Sequence, residues 1–132
     1  MKIKILAGIY VSILVAIIFL VDSPATQPLF HFVYKVPYGD KIGHFCLMGV
    51  FSFLLNWALE ARRFKAWKIN FPFGNLIALF VVTAEEVSQI WVRGRTFDWG
   101  DLLFDFVGIL LFGELARFVV KRQMLTRSSQ QI

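Results

Sequence analysis

Apolar residues along this chain fall into four long runs separated by polar or proline-rich breaks. The first, residues 5–21, carries no charge and follows Lys2 and Lys4. It is long for a signal-peptide core, and Asp22-Ser23-Pro24-Ala25-Thr26 offers no convincing cleavage site, so it reads as an uncleaved helix over about residues 4–21. The second run, residues 42–59, contains His44 and predicts a helix over 42–60. The third starts near Ile69, with Asn70 as a helix cap and Pro72 in the first turn, and predicts a helix over 70–92. The fourth contains Asp105 and Glu114 and predicts a helix over 101–120. Each is long enough to cross a hydrocarbon core of about 30 Å. The expected fold is therefore all-α: an integral membrane bundle of four transmembrane helices forming one domain over 1–120. A polar, disordered tail over 121–132 is expected on the cytoplasmic side.

The breaks differ in character. Residues 22–39 hold Pro24, Pro28, Pro37 and Gly39, which interrupt helices. The segment Leu29-Phe30-His31-Phe32-Val33-Tyr34 is too short to span and aromatic enough to rest at the membrane interface. Residues 60–68 form a basic, aromatic turn, and residues 93–100 a polar one.

Composition strengthens the membrane reading. Hydrophobic residues make up 58% of 132, with 15 Phe and 4 Trp, and mean hydropathy is +0.65. A chain this short has too little interior to hide that much apolar surface from water. The net charge of +5 would raise nucleic acid as a partner in a soluble protein. Here the basic residues lie between apolar runs and act as topology signals, so no nucleic-acid partner is expected. Four spans put Lys2, Lys4, Arg62, Arg63, Lys65, Lys68, Arg117, Lys121, Arg122 and Arg127 on one side, and only Lys35, Lys41, Arg93 and Arg95 on the other. The richer side should be cytoplasmic, which places both termini inside a cytoplasmic (inner) membrane protein. The lone Cys46 excludes an internal disulfide and reads as a small buried packing residue.

Acidic residues gather toward the outer side: Asp22, Asp40, Glu85, Glu86, Asp98, Asp101 and Asp105. Helical periodicity sharpens this. Glu86, Gln89 and Arg93 share a narrow arc of the third helix, as do Asp98, Asp101, Asp105 and Gly108 of the fourth, while Asp40 and His44 are one turn apart. Glu86 lies about 10 Å along the axis from Arg93, and His44 and Asp105 about 6 Å from their helix mouths. Three helices thus bring polar groups to one level, around a shallow outward-facing pocket. Ionisable groups in lipid usually face a bundle interior and mark function. The same groups also fit a hydrogen-bonded network that only holds helices together.

Three segments resemble the VanZ-like family of small membrane proteins. Asp40-Lys41-Ile42-Gly43-His44-Phe45 is similar to its D-K-x-x-H-F. Glu86-Val87-Ser88-Gln89 is similar to its E-x-x-Q. Gly94-Arg95-Thr96-Phe97-Asp98-Trp99-Gly100-Asp101, followed by Asp105, Gly108 and Gly113, resembles its G-R-x-x-D-x-x-D and later glycines. Arg93 and Ser88 depart from it, standing where many members have proline and some have histidine. The resemblance implies a protein of the cell envelope. The family takes its name from a protein associated with low-level resistance to the glycopeptide teicoplanin.

Three functions compete. In the first, the pocket binds or modifies a lipid-linked or anionic headgroup: Glu86 or His44 is the general base, with Asp101 as a third catalytic candidate, and Asp40, Lys41, Gln89, Arg95, Asp98 and Asp105 bind the substrate. In the second, the protein is a non-catalytic scaffold packed through Gly43, Gly49, Gly108 and Gly113. The third, a transporter, fits poorly, because a polar cluster confined to one leaflet offers no path through. His44, Glu86 and Asp105 could together hold a divalent metal, but no H-x-x-x-H or H-E-x-x-H spacing supports it, and with no nucleotide loop or serine elbow present no metal or cofactor is expected.

Overall fold

In a computed structural model, residues 2–130 are described. The chain runs α1 (Lys2–Asp22), a 3-10 turn (Gln27–Phe30), α2 (His31–Lys35), α3 (Gly39–Ala58), β1 (Arg63–Ala66), β2 (Ile69–Pro72), α4 (Phe73–Ser88) with a 3-10 extension (Gln89–Trp91), and α5 (Trp99–Ser129). Lys2–Asp22, Gly39–Ala58 and Phe73–Trp91 are long and apolar enough to cross a membrane. The helices are therefore compatible with membrane insertion. In α5 the apolar stretch is interrupted by Asp105, Glu114 and Arg117.

The main packing interface is α3 against α5, with α4 laid over both and α1 against α3. Leu14, Met48, Phe51, Ala78, Val82 and Ile109 form the buried apolar centre. Glycines on α5 permit the close approach. A Cβ on Gly108 would strike the carbonyl oxygen of Phe45, and one on Gly113 would overlap the Asn75 amide. Gly49 lets the Phe112 ring sit on α3, whereas a Cβ on Gly43 would meet nothing, so Gly43 does not serve helix packing as the sequence implied. Of the four long helices, α1 has the fewest buried residues. Only Ala7 and Leu14 are buried on it, and Tyr10 donates to the Leu47 carbonyl at 2.7 Å.

A buried polar knot joins α3, α4 and α5 in the half nearer the hairpin. Ser52 Oγ lies 2.8 Å from Asn75 Oδ1 and 3.0 Å from the Ile109 carbonyl, and Asn56 Nδ2 donates to Asn75 Oδ1 at 2.6 Å. Interhelical bonds of this kind each contribute on the order of 1 kcal/mol in lipid. The sequence reading did not single these residues out, because none is ionisable.

Four expectations are corrected. The turn over 60–68 opens into an antiparallel hairpin pairing Arg63 with Pro72 and Ala66 with Ile69, so the chain is not wholly α. Trp67 takes φ 50° in the two-residue hairpin loop. Asn70 is therefore a strand residue that accepts from Arg63 Nε at 2.7 Å, and the third helix begins at Phe73 instead of residue 70. The expected disordered tail is instead helix as far as Ser129. No proline or glycine follows Gly113 before that point, and Arg127 near the end suits the helix dipole. Cys46 is exposed on the outer face of α3, not buried.

Candidate functional site: a three-helix polar cluster

The start of α3, the end of α4 and the start of α5 lie at one end of the bundle, and the hairpin lies at the other. Each start is locally specified. Tyr38 takes a left-handed φ of 57° and turns the chain into α3, and Gly39 passes so close to the Val33 carbonyl that a Cβ would not fit. Asp98 caps α5, its Oδ1 accepting from the Gly100 N–H at 2.6 Å. That bond, together with Lys41, holds the Asp98 carboxyl below the usual carboxylate range.

Two linked constellations follow. Lys41 Nζ sits 2.8 Å from Asp101 Oδ1, 3.1 Å from Asp98 Oδ2 and 3.6 Å from Asp40 Oδ2. Three carboxylates therefore saturate the one ammonium. One turn on, His44 Nδ1 lies 3.0 Å from Asp105 Oδ2, and its Nε2 lies 3.8 Å from Asp101 Oδ2. Asp105 is fully buried and makes no contact with solvent. It fixes the ring and leaves Nε2 directed toward Asp101 and the open side.

The second constellation anchors the loop between α4 and α5. Glu86, fully buried, accepts the Asp98 N–H at 2.7 Å and the Gln89 amide at 3.2 Å. Gln89 Nε2 also donates to Glu85 Oε1 at 2.9 Å, and its Oε1 accepts from Arg95 Nε at 3.3 Å. Arg95 Nε then lies 3.8 Å from Asp22 at the end of α1.

All nine residues singled out from the sequence (Asp40, Lys41, His44, Glu86, Gln89, Arg95, Asp98, Asp101 and Asp105) thus meet in one cluster. Arg93 does not. It is exposed beyond the helix end, and its carbonyl accepts from Gln27 at 3.4 Å. Asp22 and Glu85 join without having been assigned a role. Both are acids at the ends of apolar runs, but Asp22 meets Arg95 only where the loop folds back, while Glu85 accepts from Gln89 one turn on. No group of three or more His, Cys, Asp or Glu among the described residues is arranged to hold a metal ion.

The bonding of Glu86 separates two roles. A group that only holds the loop needs its acceptor oxygens, which a glutamine retains at one position. We expect Glu86→Gln to keep function with a modest loss of stability, because its amide N–H2 then faces the Gln89 amide donor. Glu86→Ala should lose about 1–3 kcal/mol of stability by stranding the Asp98 N–H. Thermal unfolding of the two variants in detergent checks this, and a Gln variant that folds but is inactive would make Glu86 a proton-transfer group.

Two cavities adjoin the cluster. A polar one of about 270 Å³ is lined by Gln27, His31, Gln89, Thr96, Asp98 and Asp101, among others. An apolar one of about 250 Å³ lies between α1, α2 and α3.

No curated protein and no solved structure matches the chain. A family model described as VanZ/LLP1 matches residues 7–120, which contain every residue of the cluster. The chain therefore belongs to the VanZ/LLP1 family, and its apolar helices mark it as a membrane protein.

Proposed function

We propose that this is a four-span membrane protein of the cell envelope, one domain over 1–120. Both termini are cytoplasmic, and its outward-facing polar pocket binds a lipid-linked headgroup and moves a proton on it through His44. The observation that carries this reading is the His44–Asp105 pair. A fully buried carboxylate orients the ring from behind, while His44 itself lines the polar cavity. That is the arrangement a general base needs: one nitrogen held, the other within reach of a headgroup hydroxyl or a water. Asp101 lies beside Nε2 and suits positioning of the reacting group. Glu86, tied on both oxygens, suits loop positioning better than the base role that the sequence allowed.

The charged residues of α5 support its counting as a fourth span. Asp105 is paired with His44, and Glu114 lies 2.6 Å from Arg117 and 3.8 Å from Arg63 of the hairpin. Asp105 faces the bundle, and Glu114 and Arg117, though exposed, neutralise each other toward the hairpin end, where long side chains reach the interface. The basic hairpin at the end opposite the cluster supports an outward-facing pocket. Orientation has its own test. In a Cys46→Ser background, Thr96→Cys should react with a membrane-impermeant maleimide on intact cells, and Ser128→Cys only after permeabilisation. The reverse pattern would turn the pocket inward.

The function is tested with the purified chain in nanodiscs made from total envelope lipid extract. A lipid species whose headgroup mass changes with time is expected with the wild type and absent without protein. The competing reading, a purely structural cluster, has one observation in its favour, the saturation of Lys41. It expects no such change.

A further inference from the structure

The two cavities are not separate. Asp40, His44 and Arg95 line both, so the polar chamber and the apolar chamber share a wall. The apolar chamber is walled by Leu14, Ile18, Phe30, Val33 and Leu47, from α1, the connector and α3. An apolar cavity of about 150 Å³ already admits a benzene ring, so one of about 250 Å³ has room for a length of hydrocarbon chain. Asp22, Asp40, His44, Glu85 and Arg95 supply the polar part of its wall, and a hydrocarbon chain is what a surrounding bilayer supplies.

The polar chamber narrows the headgroup. Of the cluster's seven carboxyl groups, Asp40, Asp98 and Asp101 line it, with Arg95 as the permanent cation on its wall. Lys41 is already matched by those three. Asp22 Oδ1 and Glu85 Oε2, buried with no hydrogen-bond partner among the described residues, belong to side chains on the wall of the apolar chamber, with Asp22 Oδ1 3.8 Å from Arg95 Nε. One ammonium against three carboxylates leaves acceptor oxygens over, so a ligand in the polar chamber should bring N–H or O–H groups. A bare anion would add to the excess. Arg95, its Nε turned to Gln89 Oε1 and 3.8 Å from Asp22, is the permanent cation on the shared wall, where head joins chain, and its two terminal nitrogens suit a phosphate.

We propose that the paired cavities take a single membrane amphiphile in a fixed order: hydrocarbon chain in the apolar chamber, phosphate at Arg95, and an amine- or hydroxyl-bearing headgroup against Asp40, Asp98 and Asp101. This rests on the polar pocket being a headgroup site and adds the seat of the chain, the orientation and the headgroup chemistry. It departs from a site for a bare anionic head, which the basic motif residues alone would favour.

Gly43 supplies the test. It lines the apolar chamber, and a Cβ there meets nothing within 4 Å. Gly43→Leu therefore sends its side chain into the chamber from an unobstructed Cβ and removes a helix-weakening glycine. The probes are 16-carbon lysophosphatidylethanolamine, the matching lysophosphatidic acid, and chain-free glycerophosphoethanolamine. Each is titrated against the full chain in detergent and read by native mass spectrometry. We expect one lysophosphatidylethanolamine per wild-type chain, with both other probes at least tenfold weaker. Gly43→Leu should weaken lysophosphatidylethanolamine at least tenfold with an unchanged unfolding temperature.

Equal binding to wild type and Gly43→Leu overturns the chain seat. So does glycerophosphoethanolamine binding as tightly as the chained lipid, which would leave the headgroup reading standing. Lysophosphatidic acid binding as tightly overturns the headgroup chemistry. Wild-type dimers that Gly43→Leu abolishes would put a second copy in the chamber and overturn the proposal. If no probe binds the wild type, the proposal fails, and the headgroup reading is judged separately by the nanodisc assay with total lipids.

Discussion

His44→Gln is expected to lower turnover in lipid nanodiscs by roughly 10²- to 10⁴-fold, the usual contribution of a positioned general base. The glutamine amide can still donate to Asp105 Oδ2, so the buried carboxylate keeps a partner and the bundle should hold. What is lost is a nitrogen able to accept and release a proton. Asp105→Asn should fail for a related reason. An asparagine amide donating to Nδ1 would place the ring proton on Nε2, the nitrogen that must accept one. Comparable unfolding temperatures with a large rate loss in both variants would identify the pair as chemical. Wild-type rates in His44→Gln would remove His44 from the reaction.

Gly108→Val should have the largest effect on folding. A Cβ at this position falls on the Phe45 carbonyl oxygen, which is backbone and cannot turn aside. The valine forces α5 from α3, the main packing interface of the molecule. We expect a loss of about 3 kcal/mol or more, at the upper end of overpacking effects. The readout is folded yield and unfolding temperature in detergent, with Gly43→Ala as the tolerated comparison. The same displacement separates Lys41 from Asp101 and His44 from Asp105, so binding should fall together with stability. A normally folded Gly108→Val protein would mean that the helices meet differently.

Helical spacing explains why so much of the cluster was legible in the sequence. Asp40 and His44, Glu86 and Gln89, and Asp98, Asp101 and Asp105 recur at three- and four-residue intervals, so each set occupies one face. Charge in an apolar run then says which face turns inward. What stayed hidden depends on contacts between elements distant in sequence. Asp22 gains meaning only when the loop carrying Arg95 folds back on it. Lys41 reads as a free cation until three carboxylates converge on it. The Ser52–Asn56–Asn75 knot leaves a weak trace because uncharged polar residues are common in spans. The hairpin is too short to show alternation, and the helix beyond residue 120 looks like a tail when polarity alone is weighed. The apolar chamber has no signature in sequence, since it is the space left between α1, the connector and α3.

The central claim is that this pocket acts on an envelope lipid. The most direct measurement compares envelope lipids by mass spectrometry in three strains: gene deleted, wild type restored, and His44→Gln restored at matched protein level. The account expects one lipid species to change on deletion, to return with wild type, and to remain changed with His44→Gln. Three indistinguishable lipid profiles across several growth conditions would contradict it.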